Sequence, residues 1–168
     1  MKIDTRRLAL AGLLTAVAVA MSAFSIPIGI ARVFPVQHMI NVIAAVLFGP
    51  FYAVVMAFST SLVRNMMGTG TLLAFPGSMF GALMAGLAYK YFKNKLATCT
   101  AELLGTGVLG ALAAYPVAAL LLGRDAAIFG FVIPFSLSSA VGAVMAYAFL
   151  IALTRTGALH RLGFNLKD

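Results

Sequence analysis

Residues 37–66 read QHMINVIAAVLFGPFYAVVMAFSTSLVRNM, two apolar stretches separated by Gly49 and Pro50. Glycine followed by proline is typical of a break between helices. We therefore interpret this part of the chain as two short helices, over 37–49 and 51–66. A helix of about 13 residues reaches only about 20 Å, less than the roughly 30 Å hydrocarbon core of a membrane, so protein must shelter the flanking segments. The alternative is one helix kinked at Pro50.

The composition of the whole chain indicates an integral membrane protein. Hydrophobic residues make up 62% of its 168 residues and charged residues only 10%, and the mean hydropathy is +1.05. Soluble domains lie far from these values. At roughly 20 residues for each span, the length accommodates about six helices and leaves no room for a soluble catalytic domain. A single cysteine, Cys99, and the lack of clustered Cys and His residues predict no metal site, and no cofactor is expected.

Glycine, proline and charged residues interrupt the apolar stretches and predict six helices. We expect these helices over 8–26, 37–49, 51–66, 72–92, 97–122 and 127–154, followed by a basic tail over 155–168. The predicted fold class is an all-α integral membrane protein, a compact bundle of six transmembrane helices. It forms a single membrane domain over 1–168.

The distribution of basic residues favours six spans over five. With six spans, one side of the membrane receives most of the basic residues, namely Lys2, Arg6, Arg7, Lys90, Lys93, Lys95, Arg155, Arg161 and Lys167. Only Arg32, Arg64 and Arg124 lie near the other side. Because cytoplasmic loops carry the excess of Lys and Arg, both termini are expected in the cytoplasm. With five spans, the basic clusters at the two chain ends would face opposite compartments. The basic residues are confined to short segments between apolar stretches, so nucleic acid is not expected as a partner despite the net charge of +8.

Polar side chains in the apolar segments predict a substrate pocket. Such groups are expensive in hydrocarbon, so they usually face the interior of a bundle or a watery cavity. In the six-span topology, the outer ends of five segments converge at one depth. The expected substrate-binding residues are Gln37, His38, Asn41, Arg64, Asn65, Thr71, Phe75, Tyr115, Ser136 and Ser139. Glu102 is expected near the cytoplasmic end, paired with Lys95 or capping the fifth helix, and is excluded from the pocket.

The chemistry of these residues predicts a small, flat and largely neutral heterocycle as the ligand. Hydrogen-bonding groups would fix its orientation, while aromatic faces would supply stacking, and these faces are Phe34, Phe75, Tyr115 and Phe135. Arg64 is the only fixed charge expected there, and a highly anionic substrate would require more positive charges in the pocket. The scarcity of acidic residues in the spans argues against a transported cation and against coupling to protons or sodium.

The first helix carries a stripe of small residues, Ala9, Gly12, Ala16 and Ala20. Spacings of three and four residues place them on one face, where a neighbouring helix can approach closely. Similar spacings recur elsewhere in a chain this rich in alanine and glycine. The stripe alone therefore leaves two interpretations open, packing within the bundle and contact with a partner protein.

Five runs of sequence resemble one transporter family. They are Arg32–Asn41 (RVFPVQHMIN), Leu47–Ala53 (LFGPFYA), Arg64–Thr71 (RNMMGTGT), Ala74–Ser78 (AFPGS) and Glu102–Gly107 (ELLGTG). In combination they resemble the ThiW family, the thiazole-specific S component (substrate-binding subunit) of an energy-coupling factor (ECF) vitamin transporter. The resemblance covers residues 6 to about 155.

The resemblance implies capture of the thiamine precursor hydroxyethyl-methylthiazole from outside a prokaryotic cell membrane. It also implies docking on a transmembrane T component that two cytoplasmic ATPases drive, so ATP hydrolysis is supplied in trans and the chain is not itself an enzyme. The first-helix stripe matches the surface by which S components meet that partner, with Gly12 in place of a usual alanine. Membrane lipid is the remaining expected partner.

Other functions stay open at this point. An S component for thiamine or for another thiamine-related precursor, such as a pyrimidine, would carry a similar pocket. A stand-alone permease would usually need a coupling acid, and a membrane-embedded enzyme would need a nucleophile and base or a metal site. His38 and His160 are expected on opposite sides of the membrane, which disfavours the enzyme.

Overall fold

A computed structural model describes residues 5–28, 31–123, 127–157 and Phe164. The described residues form six helices and one short hairpin. The helices are α1 (Thr5–Ala20, extended by a tight turn over Met21–Ala23), α2 (Pro35–Phe48), α3 (Pro50–Met66), α4 (Ala74–Phe92), α5 (Lys95–Leu121) and α6 (Val132–Arg155). Two antiparallel strands, β1 (Ile26–Ile28) and β2 (Ala31–Val33), join α1 to α2.

The six helices confirm the predicted number and order of helices in the described part of the chain. Gly49 has φ +85°, a conformation that favours glycine, and separates α2 from α3 where the Gly-Pro pair predicted a break. The hairpin was not predicted. It pairs Ile26 with Val33 and Ile28 with Ala31. The first helix was predicted to continue to residue 26, but its helical turns end at Ala23 and Ile26 begins the hairpin.

Three helical segments are long and apolar enough to cross a bilayer by length and composition, Thr5–Ala23, Lys95–Leu121 and Val132–Arg155. Together with the hydropathy of the chain, they identify a membrane protein. The helix Pro35–Phe48 is apolar but has only 14 residues. The six-span bundle and the cytoplasmic position of both termini stay predictions.

The centre of the bundle is α2, in which ten of 14 residues are buried. A helix that is buried on all sides is apolar all round, and α2 is apolar except for three polar side chains near its start, Gln37, His38 and Asn41. It packs between α3, α4 and α6. The flanking α1 contacts α2 and α3, with Ala11 and Ala18 buried in that contact.

Glycines bring the helices close together around the start of α2. A Cβ atom built on Gly142 of α6 would lie 2.5 Å from the carbonyl oxygen of Pro35 and 2.6 Å from the Cβ of His38. On the other side, a Cβ on Gly110 of α5 would lie 2.7 Å from the Cα of Gly77 in α4. Such close crossings need residues without a side chain. The first crossing fixes α6 against the polar start of α2, and the second fixes α5 against α4.

Candidate functional site

A cavity of about 480 Å³ lies at the end of the bundle where α2, α4 and α6 begin and α3 ends. The connection between α3 and α4 closes one side of it. The lining residues are Phe34, Gln37, His38, Arg64, Gly68, Thr69, Gly70, Thr71, Leu73, Ala74, Gly77, Ser78, Phe131, Pro134, Phe135 and Ser138. The wall therefore combines three aromatic rings with a few hydrogen-bonding groups, the usual composition of a small-molecule site.

Arg64 places a positive charge in the cavity wall. The residue is 2% exposed, and its guanidinium carbon lies 4.2 Å from the ring centroid of Phe34. One terminal nitrogen, Nη1, donates to the Gln37 side-chain oxygen, and the other, Nη2, donates to the Thr69 carbonyl at 3.3 Å. Its Nε has no hydrogen-bond partner in the described part of the chain. A buried donor without a partner carries a desolvation penalty.

Among the described residues of the cavity wall, no carboxylate balances the charge of Arg64. Glu102 is the only acidic residue within the described ranges, since Asp4, Asp125 and Asp168 lie outside them. The Glu102 carboxylate bonds to other groups, as described below. Arg64 is held instead by neutral oxygens and by the face of Phe34, which attracts the cation through its ring quadrupole.

The connection after α3 folds back onto Arg64 and so forms a wall of the cavity. Backbone N–H groups of Thr69 and Gly70 both donate to the Arg64 carbonyl, at 2.9 and 3.0 Å. Gly68 makes the reversal possible with φ +71°. The neighbouring Asn65 donates from Nδ2 to the carbonyls of Ser61 and Thr71, at 2.8 and 3.0 Å. Asn65 therefore anchors the connection, and the structure places it outside the cavity lining.

His38 connects the cavity to a buried carboxylate. Its Nδ1 lies 2.8 Å from Oε1 of Glu102, a residue that is 0% exposed. Thr106 donates to the same oxygen at 2.9 Å, and the Ser139 hydroxyl donates to Oε2. The expectation that Glu102 caps the fifth helix was wrong, because the side chain of Asn94 does so by accepting from the Ala97 N–H.

Asn41 lies one turn after His38 and supports the wall from behind. Its Nδ2 donates to the hydroxyl of Ser78 at 3.1 Å and to the Ser78 carbonyl at 3.3 Å. Ser78 lines the cavity, whereas Asn41 does not. In this structure the Asn41 amide contacts the lining residue Ser78, and its expected contact with a ligand stays a prediction.

Four of the ten expected substrate-binding residues line the cavity, Gln37, His38, Arg64 and Thr71. The structure places the other six outside the lining, and these are Asn41, Asn65, Phe75, Tyr115, Ser136 and Ser139. Phe75 packs against Phe58, with ring centroids 5.5 Å apart. Ser136 lies against α5, where a Cβ on Gly107 would come within 2.3 Å of its hydroxyl oxygen. Tyr115 is half-buried on α5.

Several lining residues did not appear among the expected site residues. Ser138 accepts a hydrogen bond from the Phe34 N–H at 2.8 Å and thereby joins the start of α6 to the start of α2. Phe34 and Phe135 were predicted as aromatic faces and do line the cavity, while Phe131 was missed. The signal for Glu102 was present in the sequence: a carboxylate in an apolar helix needs a partner, and Thr106 follows it by one helical turn.

A known protein family matches the part of the chain that contains this site. The family model described as thiamine-precursor transporter protein (ThiW) matches residues 8–156, which include every residue of the cavity wall. Comparison with curated proteins and with solved structures gave no match. The composition, the long apolar helices and the extent of this match agree with one another. The chain belongs to the ThiW family of thiamine-precursor transporters.

Proposed function

We propose that the chain is the S component of an ECF importer and that it binds hydroxyethyl-methylthiazole from outside the cell. It then delivers this ligand to the cytoplasm together with a T component and two ATPases. The observation that carries the proposal is the cavity at one end of the bundle, with Arg64 and His38 in an otherwise largely apolar and aromatic wall. The family match supplies the class of ligand, a thiamine precursor.

The polar groups of the wall suit a neutral thiazole. The ring nitrogen of a thiazole accepts hydrogen bonds, and the lining side chains Arg64, Gln37 and Thr71 carry N–H or O–H groups. The aromatic rings Phe34, Phe131 and Phe135 offer faces and edges for a flat ring. Thiamine itself carries a permanent positive charge, and it is disfavoured by a wall whose described residues include a guanidinium and no carboxylate. A hydroxymethylpyrimidine is neutral and is therefore the closer competitor.

The orientation of the protein in the membrane also belongs to this proposal. The cavity lies at the starts of α2, α4 and α6, whereas most basic residues of the described part of the chain lie at the opposite end of the bundle. That end holds Arg6, Arg7, Lys90, Lys93, Lys95 and Arg155. Since Lys and Arg favour the cytoplasmic side, the cavity faces outward. An outward cavity is what a capture subunit needs.

The surface of α1 supports contact with a partner protein. Ala9, Gly12, Ala16 and Ala20 are all exposed, and a Cβ on Gly12 would meet no atom within 4 Å. The face of α1 that packs on the bundle is a different one. Within the described part of the chain no helix covers the stripe, and we assign it to the T component because small residues permit close helix contact in lipid.

A proton-coupled permease is a second candidate, and one observation favours it. Glu102 and His38 form a buried acid and imidazole pair beside the cavity. Intramembrane pairs of this kind serve as proton relays in pumps and transporters. This pair weakens the argument that the spans lack a coupling acid, so transport must be measured with and without an energising partner.

Reconstitution into liposomes separates the two candidates. We expect labelled hydroxyethyl-methylthiazole to accumulate only when the chain is combined with a T component, two ATPases and ATP. Ala16→Phe should reduce that accumulation at least about tenfold, because a large ring keeps the helices apart. Val144→Phe is the matched control, since Val144 is 71% exposed on α6 and outside the stripe. Accumulation by the chain alone, driven by a proton gradient, would favour the permease and contradict the S component.

A further inference from the structure

The proposed binding contacts leave the role of Glu102 open. The carboxylate does not line the cavity, yet it is completely buried and shares a hydrogen bond with His38, which does. Space for it depends on glycine: a Cβ on Gly81 of α4 would lie 2.8 Å from Oε1 of Glu102 and 2.0 Å from the Thr106 hydroxyl. Three helices, α2, α5 and α6, supply the groups around this carboxylate.

Three groups that can donate hydrogen bonds surround the Glu102 carboxylate. The Nδ1 of His38 and the hydroxyl of Thr106 meet Oε1, and the hydroxyl of Ser139 meets Oε2. Serine and threonine hydroxyls in helices commonly donate to the carbonyl four residues earlier, but here both donate to the carboxylate. All three contacts are satisfied at once when the carboxylate accepts from each group and the proton of the histidine contact lies on Nδ1.

The protonation of Nδ1 determines what His38 offers to the cavity. In a neutral imidazole with hydrogen on Nδ1, the other nitrogen, Nε2, is an acceptor. Nε2 makes no hydrogen bond to any residue in the described part of the chain. The His38 side chain keeps 11% of its surface exposed, and the residue lines the cavity. The ring is held in place by the 2.8 Å contact of Nδ1 with Glu102 Oε1.

We propose that Glu102 is a positioning residue that fixes His38 as a hydrogen-bond acceptor, and that this pair selects ligands carrying a hydroxyl donor. The inference rests on the proposed function, because it assigns the hydroxyl of hydroxyethyl-methylthiazole to His38 Nε2. The thiazole ring and its methyl group contribute apolar contact, and the hydroxyl distinguishes this ligand from similar rings that lack it. Carboxylates orient imidazoles in this way at metal and catalytic sites.

Calorimetric titration with two ligands tests the selection by the hydroxyl group. The probes are hydroxyethyl-methylthiazole and ethyl-methylthiazole, which has the same ring and lacks the hydroxyl. We expect the wild type to bind the second ligand about 10- to 100-fold more weakly, because a buried acceptor is left without a partner. In Glu102→Leu the ratio of the two affinities should fall below about threefold, since the ring no longer has a fixed tautomer.

Thr106→Val is the matched control. It removes one donor to Oε1 of Glu102 but keeps the carboxylate and its contact with His38, so the ratio of affinities should stay near that of the wild type. Equal affinity of the wild type for both ligands would overturn the proposed selection for a hydroxyl group, while the proposed function of substrate capture would stand. Binding of neither ligand by folded protein would instead overturn the proposed function, so the two failures differ.

Nitrogen NMR of the histidine rings gives a second test that does not require Glu102→Leu to fold. The chain has two histidines, His38 and His160, and the signal lost in His38→Gln identifies the first. We expect a protonated Nδ1 and an unprotonated Nε2 in the ligand-free wild type. A proton on Nε2 would overturn the inference, because His38 would then present a donor to the ligand.

Discussion

Gly142→Ala is expected to lower the free energy of unfolding by about 1–3 kcal/mol, the typical effect of overpacking a tight contact. The added methyl group would lie 2.5 Å from the Pro35 carbonyl oxygen and 2.9 Å from the Met39 nitrogen, both backbone atoms that cannot rotate away. It would also lie 2.6 Å from the His38 Cβ. The substitution should therefore separate α6 from α2 and shift a cavity residue, reducing ligand affinity as well as stability.

Thermal unfolding of the detergent-solubilised chain measures this effect, and Gly12→Ala is its control. Both glycines lie within helices, where alanine is intrinsically favoured by up to about 1 kcal/mol. A Cβ at Gly12 meets no atom within 4 Å, so its substitution should leave the unfolding temperature unchanged or raise it. Similar shifts for the two variants would show that the crossing of α2 and α6 is looser than described.

Arg64→Lys is expected to weaken binding of hydroxyethyl-methylthiazole about 10- to 100-fold although the charge is kept. The planar guanidinium holds Gln37 and the Thr69 carbonyl at once and lies against the face of Phe34. A lysine has no such fork, and its ammonium is more strongly hydrated. The connection that closes the cavity would lose its tie to the start of α2.

Two further variants, also measured by calorimetric titration, are needed to interpret the result for Arg64→Lys. Arg64→Met removes charge and hydrogen bonds together, so an affinity loss equal to that of Arg64→Lys would assign the effect to the shape of the guanidinium. Asn41→Ala should lower the affinity for the ligand only several-fold. Asn41 contacts the lining residue Ser78 and not the cavity, so its removal leaves one buried hydroxyl with fewer hydrogen bonds. If Arg64→Lys bound as tightly as the wild type, Arg64 would have no part in recognition.

Most helices could be predicted from the sequence because glycine, proline and charged residues interrupt the apolar stretches. The break at Gly49 and Pro50 is the clearest case, and the structure has α2 and α3 on either side of it. The strands Ile26–Ile28 and Ala31–Val33 could not be predicted in the same way. Three residues are too short to show an alternating pattern, and their pairing depends on the second strand as much as on the first.

The polar start of α2 and the end of α3 could be located from the sequence, but the direction of each side chain could not. Ser136 and Ser139 were expected at the cavity, whereas Ser138 lines it. That difference is a rotation of α6 about its axis, which the tight contact at Gly142 sets. Asn41 and Ser78 show the same limit, because only the packing of α2 on α4 decides which of them reaches the cavity.

The partners of Glu102 were misjudged because α2 is short. With only 14 residues, α2 places His38 ten residues before its end at Phe48, about 15 Å along the helix. Glu102 lies seven residues after Lys95, where α5 begins at the same end of the bundle, about 10 Å along that helix. The two side chains therefore meet, although the sequence pattern predicts them at opposite ends of the bundle.

Calorimetric titration of the purified, detergent-solubilised chain with hydroxyethyl-methylthiazole tests the central claim most directly, with thiamine and hydroxymethylpyrimidine as comparators. The account predicts saturable one-to-one binding of the thiazole, with weaker binding of both comparators by the solitary subunit. Tighter binding of the pyrimidine or of thiamine would contradict the thiazole assignment. Binding of none of the three by demonstrably folded protein would contradict the claim that this chain alone captures the substrate.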